Sequence, residues 1–85
     1  MKNKANSGLQ WRTFRERAKL TQRDVSDALG YSTPQFISNV ERGRCRFPVE
    51  KLSKIRKLYR LSVEQVVDLI VTEERQDLNK AFRLR

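Results

Sequence analysis

Four polar side chains recur three and four residues apart in a stretch with a helical pattern: Gln35, Ser38, Asn39 and Arg42. At about 100° per residue they share one side of a helix, while the apolar Phe36, Ile37 and Val40 fall on the other. Glutamine and asparagine amides can each form paired hydrogen bonds with adenine, and arginine can reach guanine or a phosphate. The pattern therefore predicts a helix face that reads base edges, although solvated helix faces look similar.

The basic residues around this stretch strengthen that interpretation. Arg44 and Arg46 follow closely, and side chains that read bases are normally positioned by phosphate contacts beside them. The whole chain has a net charge of +9, and its basic excess lies in residues 1–60, with fifteen basic and five acidic side chains. Residues 61–85 carry four basic and five acidic side chains, so the sequence predicts that the first part meets a polyanion.

Two short helices with a glycine turn between them present the polar face. The second helix is predicted over Gln22–Leu29, with a capping box between Thr21 and Asp24 and a stop at Gly30. The third is predicted over residues 34–42, with Thr33 as its cap and Pro34 in its first turn. This is the helix-turn-helix pattern, in which the second helix of the pair protrudes into a major groove about 12 Å wide.

Three further helices complete an expected all-α, five-helix bundle. The first is predicted from Leu9 to about Lys19, with Trp11, Phe14 and Ala18 as core residues rather than a stacking platform for single strands. The fourth runs from Pro48 to about Tyr59. The fifth begins at Val63 after a Ser62–Gln65 capping box and is expected to bury Val66, Val67 and Ile70, with Leu78 and Phe82 prolonging that stripe.

The chain divides into three predicted segments. Residues 1–8 are interpreted as a flexible basic arm, residues 9–71 as the domain, and residues 72–85 as an extension of the last helix that contacts a second copy. Small domains often gain stability from a partner subunit. The residues expected at the dimer contact are Val67, Ile70, Val71, Leu78 and Phe82.

Several classes of function find no support in the composition. The chain has no histidine and one cysteine, Cys45, interpreted as an incidental loop residue, so neither a metal nor a cofactor is expected. The sequence has neither an activated-nucleophile pattern nor a phosphate-cradling glycine loop, so it does not indicate an enzyme. No apolar run reaches half a membrane span and no signal peptide is visible, so the expected location is the cytoplasm, without a membrane partner.

The motifs within these helices resemble a known family. Leu20-Thr21-Gln22, Leu29-Gly30, Ile37-Ser38 and Glu41-Arg42-Gly43 are similar to the helix-turn-helix family of phage repressors, Cro proteins and xenobiotic-response-element-type bacterial regulators, over about residues 8–71. Gly8, Trp11, Phe14 and Arg15 also match the family's first helix. The resemblance implies a lambda-repressor-like fold.

The resemblance also implies roles for single residues. Gln22 would contact phosphate and brace the reading helix; Gln35, Ser38 and Asn39 would face bases; Arg15 and Glu41 would form a structural ion pair. Between Gly30 and Ile37 the chain carries one residue more than the family pattern. Which of Thr33, Pro34 and Gln35 reaches the first base therefore stays open; Gln35 is favoured, with Thr33, Arg44 and Arg46 on phosphates.

The function expected from these features is sequence-specific binding of double-stranded DNA in a bacterial or phage-infected cell. By analogy with the family, a homodimer would bind a near-palindromic operator with half-sites about 34 Å apart and repress transcription. The alternative is an antitoxin that neutralises a toxin-like partner protein and binds its own promoter. Copurification of a stable, non-identical partner would distinguish the two.

Overall fold

Five α-helices make up most of residues 7–83, the part of the chain that the computed structural model describes. A short 3-10 turn, Val49–Lys51, leads into the fourth helix. No strand occurs within residues 7–83, so the fold is all-α, as the sequence predicts. The helices are α1 (Ser7–Arg17), α2 (Gln22–Leu29), α3 (Gln35–Glu41), α4 (Leu52–Tyr59) and α5 (Val63–Arg83).

Side-chain caps fix the starts of α2 and α5. The Thr21 hydroxyl accepts a hydrogen bond from the Asp24 backbone N–H at 3.0 Å, and the Asp24 carboxylate accepts one from the Thr21 N–H at 2.9 Å. Ser62 and Gln65 repeat this reciprocal pair at 3.0 and 2.8 Å. These bonds confirm both predicted capping boxes. Each box satisfies N–H groups that the first turn of a helix leaves without partners.

Three helices have bounds other than those predicted: α1, α3 and α4, of which α4 begins at Leu52 rather than Pro48 because the 3-10 turn Val49–Lys51 precedes it. α1 begins at Ser7 rather than Leu9, so Ser7 and Gly8 are buried helical residues and not part of an arm; residues 1–6 of the predicted arm lie outside the described residues. α1 ends at Arg17, because the chain reverses at Lys19 in a left-handed conformation with φ 65°. α3 spans one residue fewer at each end than predicted, and Pro34 occupies its N-cap position.

The core forms around Trp11, which is completely buried. Its ring packs edge-on against Phe47, with centroids 5.0 Å apart, and against Tyr59, with centroids 6.2 Å apart. Aromatic pairs favour this edge-to-face geometry. Every helix contributes to the same core, whose other buried apolar residues are Val25, Leu29, Ile37, Val40, Ile55, Leu61, Val66 and Leu69.

Helix α5 has two apolar sides, and only one of them packs on the body. Val66 and Leu69 are buried, and Ile70 packs partly against the core. Val67 was predicted to be buried, but half of it is exposed (50%), because it lies about 160° around the helix from Leu69. Leu78 and Phe82 are exposed as well and do not prolong the buried side. We call the exposed row the α5 stripe: Val63, Val67, Val71, Leu78 and Phe82.

Candidate nucleic-acid interface

The outward side of α3 carries the polar residues that the sequence pattern singled out. Gln35 and Arg42 are exposed, and Ser38 and Asn39 are partly exposed. Gln35 Nε2 donates a hydrogen bond to Asn39 Oδ1 at 3.1 Å, joining the two amides one turn apart. Within residues 7–83, the side-chain carbonyl oxygen of Gln35 and the side-chain nitrogen of Asn39 have no hydrogen-bond partner, so the pair offers an acceptor and a donor together, as adenine recognition requires.

The start of α3 is shaped by Thr33. Its hydroxyl accepts a hydrogen bond from the backbone N–H of Gln35 at 3.3 Å, which satisfies one of the free N–H groups of the first turn. Thr33 is exposed, whereas Pro34 is partly buried. The extra residue of this turn is therefore accommodated before the helix, and Gln35 is the first residue of α3 to present its side chain outward.

A buried ion pair holds the far end of α3 against α1. Arg15 Nε donates to Glu41 Oε2 at 2.6 Å and Arg15 Nη2 donates to Glu41 Oε1 at 3.1 Å, a two-bond fork that matches guanidinium to carboxylate. The two side chains are only 10% and 4% exposed. The hydrogen bonds to Glu41 raise the pKa of Arg15 although burial opposes this. The predicted structural ion pair is present.

Gln22 joins the same network from the first turn of α2. Its amide nitrogen Nε2 donates to Glu41 Oε1 at 3.0 Å, so Glu41 accepts bonds from both α1 and α2. Arg15 also donates from Nη1 to the Leu20 carbonyl at 2.8 Å, in the turn between these two helices. Gln22 thus braces α3, and Glu41 ties α3 to both α1 and α2.

Gly8 brings α1 and α3 unusually close. A Cβ atom at this position would lie 2.5 Å from the Glu41 carbonyl oxygen and 2.9 Å from the Val40 carbonyl oxygen, well inside van der Waals contact. Ile37 and Val40 are buried on the same inward side of α3. The outward side chains of α3 are therefore carried by a helix whose back is fixed to α1 by close backbone packing.

Of the three arginines that follow α3, Arg42 and Arg44 have no ionic partner among residues 7–83, whereas Arg46 has two. Arg44 is exposed, and its backbone N–H donates to the Asn39 carbonyl at 2.9 Å. Arg46, expected on a phosphate, instead donates to Glu74 at 3.1 Å and to Asp77 at 2.7 Å, both on α5. These acids raise its pKa. Its partners are 28 and 31 residues away, too distant for sequence spacing to reveal.

A polar contact between α1 and α5 was also not predicted from the sequence. The Trp11 indole nitrogen Nε1 donates to Glu73 Oε2 at 3.0 Å, and Glu73 is only 6% exposed. Burial raises the pKa of Glu73, and the hydrogen bond from Trp11 offsets this only in part. The single signal in the sequence is position, since Glu73 falls seven residues after Val66, on the buried side of α5.

The protein is a helix-turn-helix protein, the class that contains DNA-binding regulators. A family model described as a helix-turn-helix domain matches residues 8–69, and the chain belongs to this family. Searches of curated proteins and of solved structures found no significant match. Among residues 7–83, no helix is both long and apolar enough to cross a membrane.

Proposed function

We propose that this protein is a transcriptional repressor that binds a near-palindromic operator as a homodimer, with α3 in the major groove of each half-site. The observation that carries the proposal is the arrangement around α3. Its outward side presents paired amides at Gln35 and Asn39, while its inward side is anchored through Glu41 to Arg15 and Gln22. A rigid helix that displays base-reading amides is what discrimination between base pairs requires.

The base contacts are assigned to Gln35, Ser38, Asn39 and Arg42, and the phosphate contacts to residues beside them. Thr33 and Arg44 are exposed at the two ends of α3. The ends of a helix in the major groove lie close to the phosphates of the two DNA strands. Gln22 lies in the first turn of α2, and its proposed contact is a phosphate of the DNA backbone. Arg46 is left out, because Glu74 and Asp77 already hold its guanidinium.

The α5 stripe supports a second copy of this chain as the partner. In an antiparallel pair of α5 helices centred between Thr72 and Glu73, Val63 lies opposite Phe82 of the partner subunit, and Val67 lies opposite Leu78 of the partner subunit. Four of the five stripe residues thus pair with one another, as the isologous interface of a two-fold dimer requires, and Val71 lies close to the two-fold axis. Phe82, 75% exposed, gains the most from burial there.

Selection from random duplexes tests the specificity and the symmetry together. We expect an enriched motif with two inverted half-sites whose centres lie one helical turn, about 34 Å, apart. Gln35→Ala and Asn39→Ala should relax the preference, whereas Arg44→Ala should weaken all duplexes alike and lower the salt slope by about 1. Enrichment of the unchanged motif by the Gln35 and Asn39 variants would refute this reading face.

The partner is tested by light scattering on purified protein at micromolar concentration. Val67→Glu combined with Leu78→Glu should convert the dimer to a monomer, and Asn79→Glu, exposed on the same helix but off the stripe, should leave it intact. A parent that is monomeric with and without DNA would remove the homodimer. A stable complex with a non-identical protein that the Val67 and Leu78 changes disrupt would favour the antitoxin function.

A further inference from the structure

A cleft of about 430 Å³ opens where the end of α3 meets the last turns of α5. Four basic side chains and two acidic side chains line this cleft, and the acidic ones are Glu73 and Asp77. Asp77 is paired with Arg46, and the Glu73 carboxylate accepts a hydrogen bond from the Trp11 indole. The four basic residues, which define what we call the basic cleft, are Arg42, Arg46, Lys80 and Arg83.

From this cleft we infer that the last turns of α5 bind a phosphate of the DNA backbone that flanks the half-site read by α3. The inference rests on the proposed function and adds Lys80 and Arg83 to the interface. Both side chains are exposed, and neither makes an ion pair with any residue from 7 to 83. They share the cleft with Arg42, the residue directly after α3, so cations of two helices converge on one place beside the reading face.

The ion pairs of Arg46 position this site. Arg46 lies in the loop after α3, and its bonds to Glu74 and Asp77 fasten that loop to α5 one turn before Lys80. Arg46 therefore acts through the geometry of the loop, while Lys80 and Arg83 supply the positive charge that meets the phosphate.

Phosphate binding and dimer formation do not compete for the same side of α5. Lys80 is two residues from Leu78, which places the two side chains about 160° apart around the helix. Arg83 follows Lys80 by three residues and stays on the side of the cleft. The α5 stripe can thus meet a second copy while the basic cleft faces the duplex, and both follow from the 21-residue length of the helix.

The test measures duplex affinity against salt concentration for the parent and for a Lys80→Ala/Arg83→Ala variant, on the selected operator and on a scrambled duplex. Each cation that neutralises a phosphate contributes about 0.9 to the slope of log affinity against log salt. Because Lys80 and Arg83 are inferred to meet one phosphate, we expect the double variant to lose about 0.9 from the slope on both duplexes and to keep its preference between them. Lys80→Arg/Arg83→Lys, which retains both charges, should keep the slope of the parent.

Arg75→Ala is the matched control, since it removes one positive charge from the same helix outside the cleft, and its slope should equal that of the parent. Light scattering checks that the double variant has the oligomeric state of the parent. An unchanged slope in the double variant, with Arg44→Ala lowering it, would overturn the inference. So would binding of inorganic phosphate in the cleft without a change of slope, because the source would then be free phosphate. A parent that binds no duplex would instead contradict the proposed function.

Discussion

Gln35 and Asn39 lie one turn apart on the outward side of α3 and share a hydrogen bond of 3.1 Å from Gln35 Nε2 to Asn39 Oδ1. This bond orients both side-chain amides, because it uses the nitrogen of Gln35 and the oxygen of Asn39. The side-chain carbonyl of Gln35 and the side-chain amino group of Asn39 have no other hydrogen-bond partner within residues 7–83. In the proposed reading of bases, the two amides therefore act as a pair.

The first prediction follows from this coupling. Gln35→Ala and Asn39→Ala should each lose about 1–3 kcal/mol of discrimination against the wrong base, and the double variant should lose clearly less than the sum. Competition binding with operator variants measures these losses. Gln35→Ala combined with Arg44→Ala is the control, since these residues share no hydrogen bond and their effects should add. Strict additivity for Gln35 and Asn39 would contradict the paired reading.

The second prediction concerns the buried ion pair. Glu41→Gln should lower the free energy of unfolding by about 3–5 kcal/mol, because the guanidinium of Arg15 stays buried without its counter-charge. Arg15→Lys should also destabilise, since an ammonium cannot form the two-bond fork. Urea unfolding followed by circular dichroism measures both. The exposed pair Arg12–Glu16, with side chains 57% and 56% exposed, is the control, and Arg12→Ala should cost less than about 1 kcal/mol.

Local signals in the sequence predicted the starts of α2 and α5 correctly. Thr21 with Asp24 and Ser62 with Gln65 form the expected reciprocal caps, and α2 has the predicted bounds Gln22–Leu29. These signals succeed because capping bonds join residues only three apart, so their geometry depends little on the rest of the fold. The outward side of α3 was predictable for a similar reason, as helical periodicity alone separates Gln35 and Asn39 from Ile37 and Val40.

Contacts across the fold were not predictable from spacing. α5 carries apolar residues on two sides, and composition does not reveal which side meets the body, so Val67 was placed in the core and Leu69 was overlooked. The sequence predicts a phosphate contact for Arg46, because its acidic partners Glu74 and Asp77 lie in another helix and local spacing does not reveal them. The bond from Trp11 to Glu73 spans 62 residues. Each of these depends on how α5 packs, which no local pattern specifies.

The third prediction concerns the close approach of α1 and α3. Replacing a helical glycine with alanine ordinarily stabilises by about 0.5–1 kcal/mol, but Gly8→Ala should destabilise by about 1–3 kcal/mol. The added methyl group would meet the carbonyl oxygens of Glu41 and Val40, which belong to backbone and cannot turn away. Urea unfolding measures the effect, with the exposed Thr13→Ala of the same helix as control. A Gly8→Ala protein as stable as the parent would show that α3 can move.

The fourth prediction follows from the burial of Glu73. Since its folded-state pKa lies above the ordinary value of 4.5, the folded protein holds this proton more tightly than the unfolded chain does. The contribution of Glu73 to stability is therefore fully present below about pH 4.5 and declines as pH rises through the raised pKa. Glu73→Gln, which still offers a carbonyl to Trp11, should remove this decline, so its stability relative to the parent should increase from acidic to neutral pH.

Two measurements check the Glu73 prediction. Urea unfolding of the parent and of Glu73→Gln is measured at several pH values from about 4, near the ordinary pKa of a glutamate, to about 8. The series gives the difference in their free energies of unfolding as a function of pH. The resonance of the indole N–H, unique because the chain has one tryptophan, should titrate in the parent and stay constant in the variant. Glu64→Gln, exposed in the first turn of α5, is the control and should not remove the decline. An indole resonance that does not titrate in the parent would show that Glu73 keeps one protonation state throughout, and the proposed pH dependence would then belong to another group.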